Sequence, residues 1–253
     1  TEESRDTSNC FSRSEFIDSE DLVTSSMLVN VYAECGLLAE AQEVFDRIPV
    51  RDVVLWTSLM AGYVKHEWLE EALDCYEQMQ VEGISPDTVT FLCSLKTCGS
   101  IGIGNKGREI HEMIIKEFLH KDIVIGNALM DMYFKCGEIE KAREMFEQLP
   151  ERDVVSWSAL ICGYAQHGLA HEAIRCFRLM EQESIAPDAI TFVCILKACT
   201  NIRAESRGQE IHIVIVKRGF TGDNVVANGL VNMYAKCGMF LEAQNVFEKL
   251  LVP

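Results

Sequence analysis

The sequence predicts an all-α fold: an α-solenoid superhelix of stacked helix-turn-helix repeats. Two observations carry that expectation. The first is recurrence. Asp21, Asp122 and Asp223 open one pattern at a spacing of 101 residues, and Tyr32, Tyr133 and Tyr234 align within it, as do Cys35-Gly36, Cys136-Gly137 and Cys237-Gly238. A pattern that returns at fixed spacing is one structural unit copied along the chain. The second is periodicity inside the unit. Trp56, Leu59, Met60 and Tyr63 fall at helical spacing, and so do Ala72, Leu73, Tyr76 and Met79.

In chain order, residues 1–20 fit no unit and are expected to be a poorly ordered or degenerate repeat remnant. They are acidic, which is unlike an organellar leader, and the chain starts at Thr1, so a fragment or a processed chain is expected. The array then divides into units 21–51, 52–86, 87–121, 122–152, 153–187, 188–222 and 223–253, of 31, 35 and 35 residues in rotation, each opened by Asp. Each unit reads as two helices. His66-Glu67 marks the turn inside the second unit, with His167-Gly168 as its copy, and Gly83 then Pro86 close that unit's second helix. One such hairpin cannot bury its apolar faces alone, so stability is expected to come from stacking neighbours into a continuous core.

The totals exclude several classes. The apolar runs are short and broken by charge, so no membrane span is expected. Eleven cysteines occur, none in a C-x-x-C pair, which argues against zinc or a thioredoxin-type site. Cys35, Cys93, Cys98, Cys136, Cys194, Cys199 and Cys237 repeat on first helices and read as small packing residues in a chain suited to a reducing compartment. The net charge is −16, with 39 acidic against 23 basic residues. Attraction to phosphate should be weak over the whole surface, so any nucleic-acid affinity must come from a local groove.

The units resemble the pentatricopeptide-repeat family, in the plant PLS subfamily whose repeats alternate in length. Those opened by Asp52 and Asp153, with Val-Val-x-Trp and then Gly-Tyr, resemble its standard repeat. Those opened by Asp87 and Asp188, with Thr-Phe, Leu-Lys-x-Cys and Glu-Ile-His, resemble its long variant. The 31-residue units resemble its short variant, most plainly in Met-Tyr-Ala-Lys-Cys-Gly at 233–238. The resemblance implies a right-handed superhelix that binds single-stranded RNA at about one base per repeat. It also implies a mitochondrial or chloroplast setting, direction of C-to-U RNA editing or of RNA processing, and a deaminase or other editing protein acting in trans.

The resemblance assigns base contact to the second and fifth residues after each opening Asp, together with the next opening Asp. The second positions are Val23, Val54, Val89, Val124, Val155, Ile190 and Val225, all β-branched and apolar. A stiff apolar side chain can clamp a base face. The competing reading is that Val merely starts a packed helix. The fifth positions are Ser26, Thr57, Leu92, Asn127, Ser158, Val193 and Asn228. Their closing partners are Asp52, Asp87, Asp122, Asp153, Asp188 and Asp223. An amide can match a pyrimidine edge, whereas a shorter hydroxyl leaves room for a larger base. The resemblance then implies the target 5′-G-G-x-U-G-x followed by a pyrimidine, with Leu92 and Val193 discriminating little. Each Asp is equally expected as a helix N-cap. Lys65, Lys135 and Lys236 end first helices and are candidates for phosphate contact.

No cofactor, metal or small-molecule substrate is expected. Gly102-Ile-Gly104-Asn-Lys-Gly107 matches a dinucleotide fingerprint but lacks the strand that should precede it, and reads as a loop between helices. His111 and His212 read as packing or surface residues, and no deaminase signature is present, so the chain is not expected to be an enzyme. The competing function is a protein-binding solenoid of the tetratricopeptide kind, without RNA readout.

Overall fold

The computed structural model describes residues 22–250. The expectation for residues 1–20, the opening Asp21 and the side chain of Val23 fall outside that description. Among the described residues every element is helical. The pairs are α1 (Leu22–Glu34) with α2 (Leu38–Asp46), α3 (Val53–Lys65) with α4 (Leu69–Val81), α5 (Thr88–Ile101) with α6 (Gly104–Lys116), and α7 (Ile123–Lys135) with α8 (Ile139–Gln148). They continue as α9 (Val154–Gln166) with α10 (Ala170–Gln182), α11 (Ala189–Asn201) with α12 (Glu205–Lys217), and α13 (Asn224–Lys236) with α14 (Phe240–Leu250). Short 3-10 turns follow α6 and α12.

The helices start where the opening aspartates stand. Asp52, Asp87, Asp122, Asp153, Asp188 and Asp223 each N-cap a first helix, accepting a backbone N–H through Oδ1. That bond satisfies one of the donors a helix start leaves open. Asp87 and Asp188 go further, since Thr90 and Thr191 reach back to close a capping box. The Cys-Gly pairs end first helices because the chain must turn left-handed there: Gly36, Gly137 and Gly238 have φ of 79°, 76° and 81°. His167-Gly168 does the same with Gly168 at φ 75°, whereas its earlier copy places Glu67 at φ 64°.

First helices pack on first helices in sequence, α1 on α3, α3 on α5 and so on to α13, while each second helix from α2 to α12 packs on its own partner and on the next first helix. The core runs along that seam. Trp56 meets Phe45 edge-on at 4.6 Å between ring centroids, and one period later Trp157 meets Phe146 at 4.7 Å. Arg51 and Arg152 lie over those same Phe rings. Such nearest-neighbour packing is what makes the array quasi-linear.

Three expectations need correction. Cys194 is not simply a packing thiol: it forms a disulfide with Cys162. Stacking of α9 on α11 brings the two Cα atoms to 5.0 Å, within bonding range. The sequence one period earlier carries Ala61 opposite Cys93, so no bond is available there. Cys35 is exposed, although Cys98, Cys199 and Cys237 are buried. Its copy Cys136 lies against the Cys98 carbonyl of the preceding repeat, and the stretch that would precede α1 is outside the described residues. The glycine-rich segment at 102–107 is mostly helix rather than loop. Gly102 is a left-handed C-cap of α5, and α6 already begins at Gly104.

Candidate nucleic-acid interface

The second helices cover one side of the layer of first helices. In α3 that covered side holds Leu55, Trp56, Leu59, Met60 and Tyr63, all buried. The opposite side is an open stripe, and the second positions lie on it. Val54, Val89, Val124, Val155, Ile190 and Val225 are between 48% and 63% exposed. That overturns the reading of these residues as helix starts packed into the core. Six branched apolar side chains stand half in water, in register on six consecutive first helices, and form an exposed apolar row, the kind of surface that marks an interaction site.

The fifth positions lie one turn further along the same helices, and their surroundings differ. Thr57 and Ser158 are buried, Ser26, Leu92, Asn127 and Val193 are half-buried, and Asn228 is exposed. The Thr57 hydroxyl donates back to the carbonyls of Val53 and Val54 at 2.9 and 3.0 Å. Its single proton is thereby committed, and its oxygen is left to accept. Ser158 Oγ reaches Asp188 Oδ1 at 3.3 Å and Thr191 Oγ1 at 2.5 Å, and Thr191 in turn donates to Asp188 Oδ1 at 2.6 Å. Here the structure joins a fifth position directly to the aspartate that closes its repeat, with Thr191 as a third member that the sequence reading missed. Its Asp-x-x-Thr spacing, a capping-box signature, was the available signal.

The pairs Asn127 with Asp153 and Thr57 with Asp87 are not hydrogen-bonded to each other. Asp153 Oδ1 instead accepts from the backbone and hydroxyl of Ser156. Asn127 Oδ1 is shielded from solvent and has no partner among the described residues. A shielded acceptor without a donor is rare in a folded chain, and this one lies within the stripe.

At the far end of the stripe, Lys65 pairs with Glu34, whose carboxyl it holds below the ordinary range by hydrogen bond and charge. Lys135 pairs with Asp131 at 2.7 Å. No group of His, Cys, Asp or Glu among the described residues could hold a metal ion, and no described helix is long and apolar enough to cross a membrane. His111 and His212 sit away from the stripe on second helices, each bonded through Nδ1 to a tyrosine of the next repeat: Tyr133 at 2.8 Å and Tyr234 at 2.7 Å. Burial lowers both imidazole pKa values and raises that of Tyr133 to about 12.

Residues 51–100 and 152–201 match the PPR repeat family, and residues 23–53, 127–154 and 225–252 each match a PPR repeat. The chain belongs to the PPR repeat family. Among similar proteins, a chloroplastic pentatricopeptide repeat-containing protein of Arabidopsis thaliana is 40% identical over 233 residues, covering 91% of this chain and 44% of that protein. A mitochondrial one from the same plant is 36% identical over 233 residues, covering 92% of this chain and 42% of that protein. The chain thus spans less than half the length of these curated relatives. Among solved structures, PPR10 in complex with an 18-nt psaJ RNA element aligns with a TM-score of 0.73 at 18% identity, over 90% of this chain and 34% of PPR10. PPR10 from maize, in a further structure, gives 0.66 at 21% identity over 89% of this chain and 34% of that one. At those identities the likeness establishes the shared PPR solenoid.

Proposed function

We propose that this PPR array binds single-stranded RNA along the open stripe of its first helices, one base per repeat, and that it belongs to the PLS subfamily. It would direct organellar RNA modification, as in recognition of C-to-U editing sites, or RNA processing, with the chemistry supplied by a partner such as a deaminase in trans. The observation that carries the reading is the exposed row from Val54 to Val225. Base faces are flat and apolar, and a branched side chain on each side of a base fits that shape.

The polar atoms beside the row support a base-by-base reading. Uracil offers one ring N–H between two carbonyls. The unpartnered Asn127 Oδ1 can accept from that N–H while the amide N–H2 donates to a carbonyl. Guanine instead offers two donors on its pairing edge, and the Thr57 oxygen has only accepting capacity left. Rotation of 31-, 35- and 35-residue units matches the alternation that defines the subfamily. The RNA bound to PPR10 and the chloroplastic and mitochondrial names of the relatives favour RNA as ligand and an organelle as setting.

Electrophoretic mobility shift tests this reading. An RNA carrying G-G-N-U-G is expected to bind in preference to a scrambled RNA of equal length. Equal affinity for both at moderate salt would refute base readout and leave the protein-binding solenoid as the better account.

A further inference from the structure

Each first helix shows the stripe not only at its second residue but again two turns on, since residues i and i+7 share a helix face. In α5 and α11 that later position is a lysine. Lys96 follows Val89 by seven residues, Lys197 follows Ile190 by seven, and both lysines are exposed. They are one period of 101 residues apart. The corresponding residues of the other first helices are Asn30, Ala61, Asp131, Cys162 and Asn232, so the cation is confined to these two. The same two helices carry the apolar fifth positions Leu92 and Val193, which cannot hydrogen-bond a base.

The state of these lysines sets them apart from Lys65 and Lys135, and exposed Lys236 at the end of α13 shares it. Lys65 and Lys135 are neutralised by Glu34 and Asp131. Neither Lys96 nor Lys197 makes an ion pair among the described residues, in a chain whose net charge is −16. An anion arriving there displaces no internal partner.

We propose that the repeats opened by Asp87 and Asp188 hold RNA by its phosphates, with Lys96 and Lys197 as the contacts, and do not read a base. This rests on the RNA-binding reading above. A lysine ammonium is a compact charge with rotatable donors, suited to a phosphate whose position varies. Such contacts fix register and orientation but carry no sequence information. Every third repeat would then anchor the strand, and the repeats between anchors would read it.

The test measures binding of the G-G-N-U-G RNA across a salt series, for wild-type protein and for the double variant Lys96→Gln/Lys197→Gln. A second double variant, Lys116→Gln/Lys217→Gln, removes the same charge from the ends of α6 and α12 on the second helices. Each neutralised phosphate contributes about 0.7 to the slope of log K against log salt for single strands, so the stripe variant should be shallower by about 1.4. Its preference for G-G-N-U-G over the scrambled RNA should persist, and the second-helix variant should keep the wild-type slope. An unchanged slope in the stripe variant, an equal loss in the second-helix variant, or a lost base preference would each overturn the anchor assignment while leaving RNA binding intact. Failure of the wild-type protein to bind either RNA would overturn both.

Discussion

If the second positions are clamps for bases, shortening them should weaken binding and leave folding nearly untouched. The informative change is Val124→Ala with Val155→Ala, on α7, which carries Asn127, and on α9, the next first helix. Complete burial of a methylene-sized group stabilises by about 0.8 kcal/mol, so the two groups lost at each valine are together worth about 1.6 kcal/mol. Each valine is 53% exposed, which leaves roughly half of that, about 0.8 kcal/mol per site, for a base to cover. Two sites give about 1.6 kcal/mol, or about a fifteenfold rise in Kd. The half already covered by the protein is lost to folding, but alanine recovers up to about 0.7 kcal/mol per site through helix propensity. Fluorescence anisotropy with G-G-N-U-G RNA reads the first quantity and a urea midpoint the second. An unchanged Kd with a collapse in stability would mean that these valines serve the core, and the argument from their exposure would fail.

Three further outcomes follow from other parts of the molecule. Asn127→Thr, with Asp153 kept, should move the preferred fourth base from U towards G, because it trades an amide for a shorter hydroxyl; competition with single-base variants of the RNA reads this, and an unchanged preference would mean the register is misassigned. Gly163→Ala should cost about 1–3 kcal/mol of stability from overpacking, since its new Cβ would stand 2.4 Å from the buried Phe134 ring; an unchanged urea midpoint would contradict the close approach of α7 and α9. Stability should fall as pH drops below the ordinary histidine value of 6.5, because burial depresses the pKa of His111 and His212. The unfolded chain then takes up protons first, and the stabilisation present above that value is lost on the way down through the folded values. Urea midpoints at neutral and mildly acidic pH, compared with His111→Gln/His212→Gln, check this: the double variant should lose most of the pH dependence.

Much of the fold could be read from the chain because each repeat touches only its neighbours, so local pattern and global architecture coincide. The opening aspartates, the Cys-Gly turns and the apolar spacing of Trp56 to Tyr63 each act within one hairpin. The resemblance to the family singled out the second and fifth positions, and the 101-residue period carried them from repeat to repeat without reference to any contact. Sequence could not decide between the two readings of the valines, since a β-branched residue in the first turn of a helix is compatible with core or surface. Exposure removed the core reading.

What only the tertiary structure determined depends on the repeat next door. The same fifth position is buried at Thr57 and exposed at Asn228, because α3 is flanked on both sides and α13 is the last first helix among the described residues. The Ser158–Asp188–Thr191 cluster, the His111–Tyr133 bond and the Cys162–Cys194 disulfide join residues 22 to 33 apart in sequence. Their pairing is set by the rotation and slide of one helix against the next. A repeat pattern specifies which residues recur, whereas the angle at which successive helices stack decides which of their atoms meet.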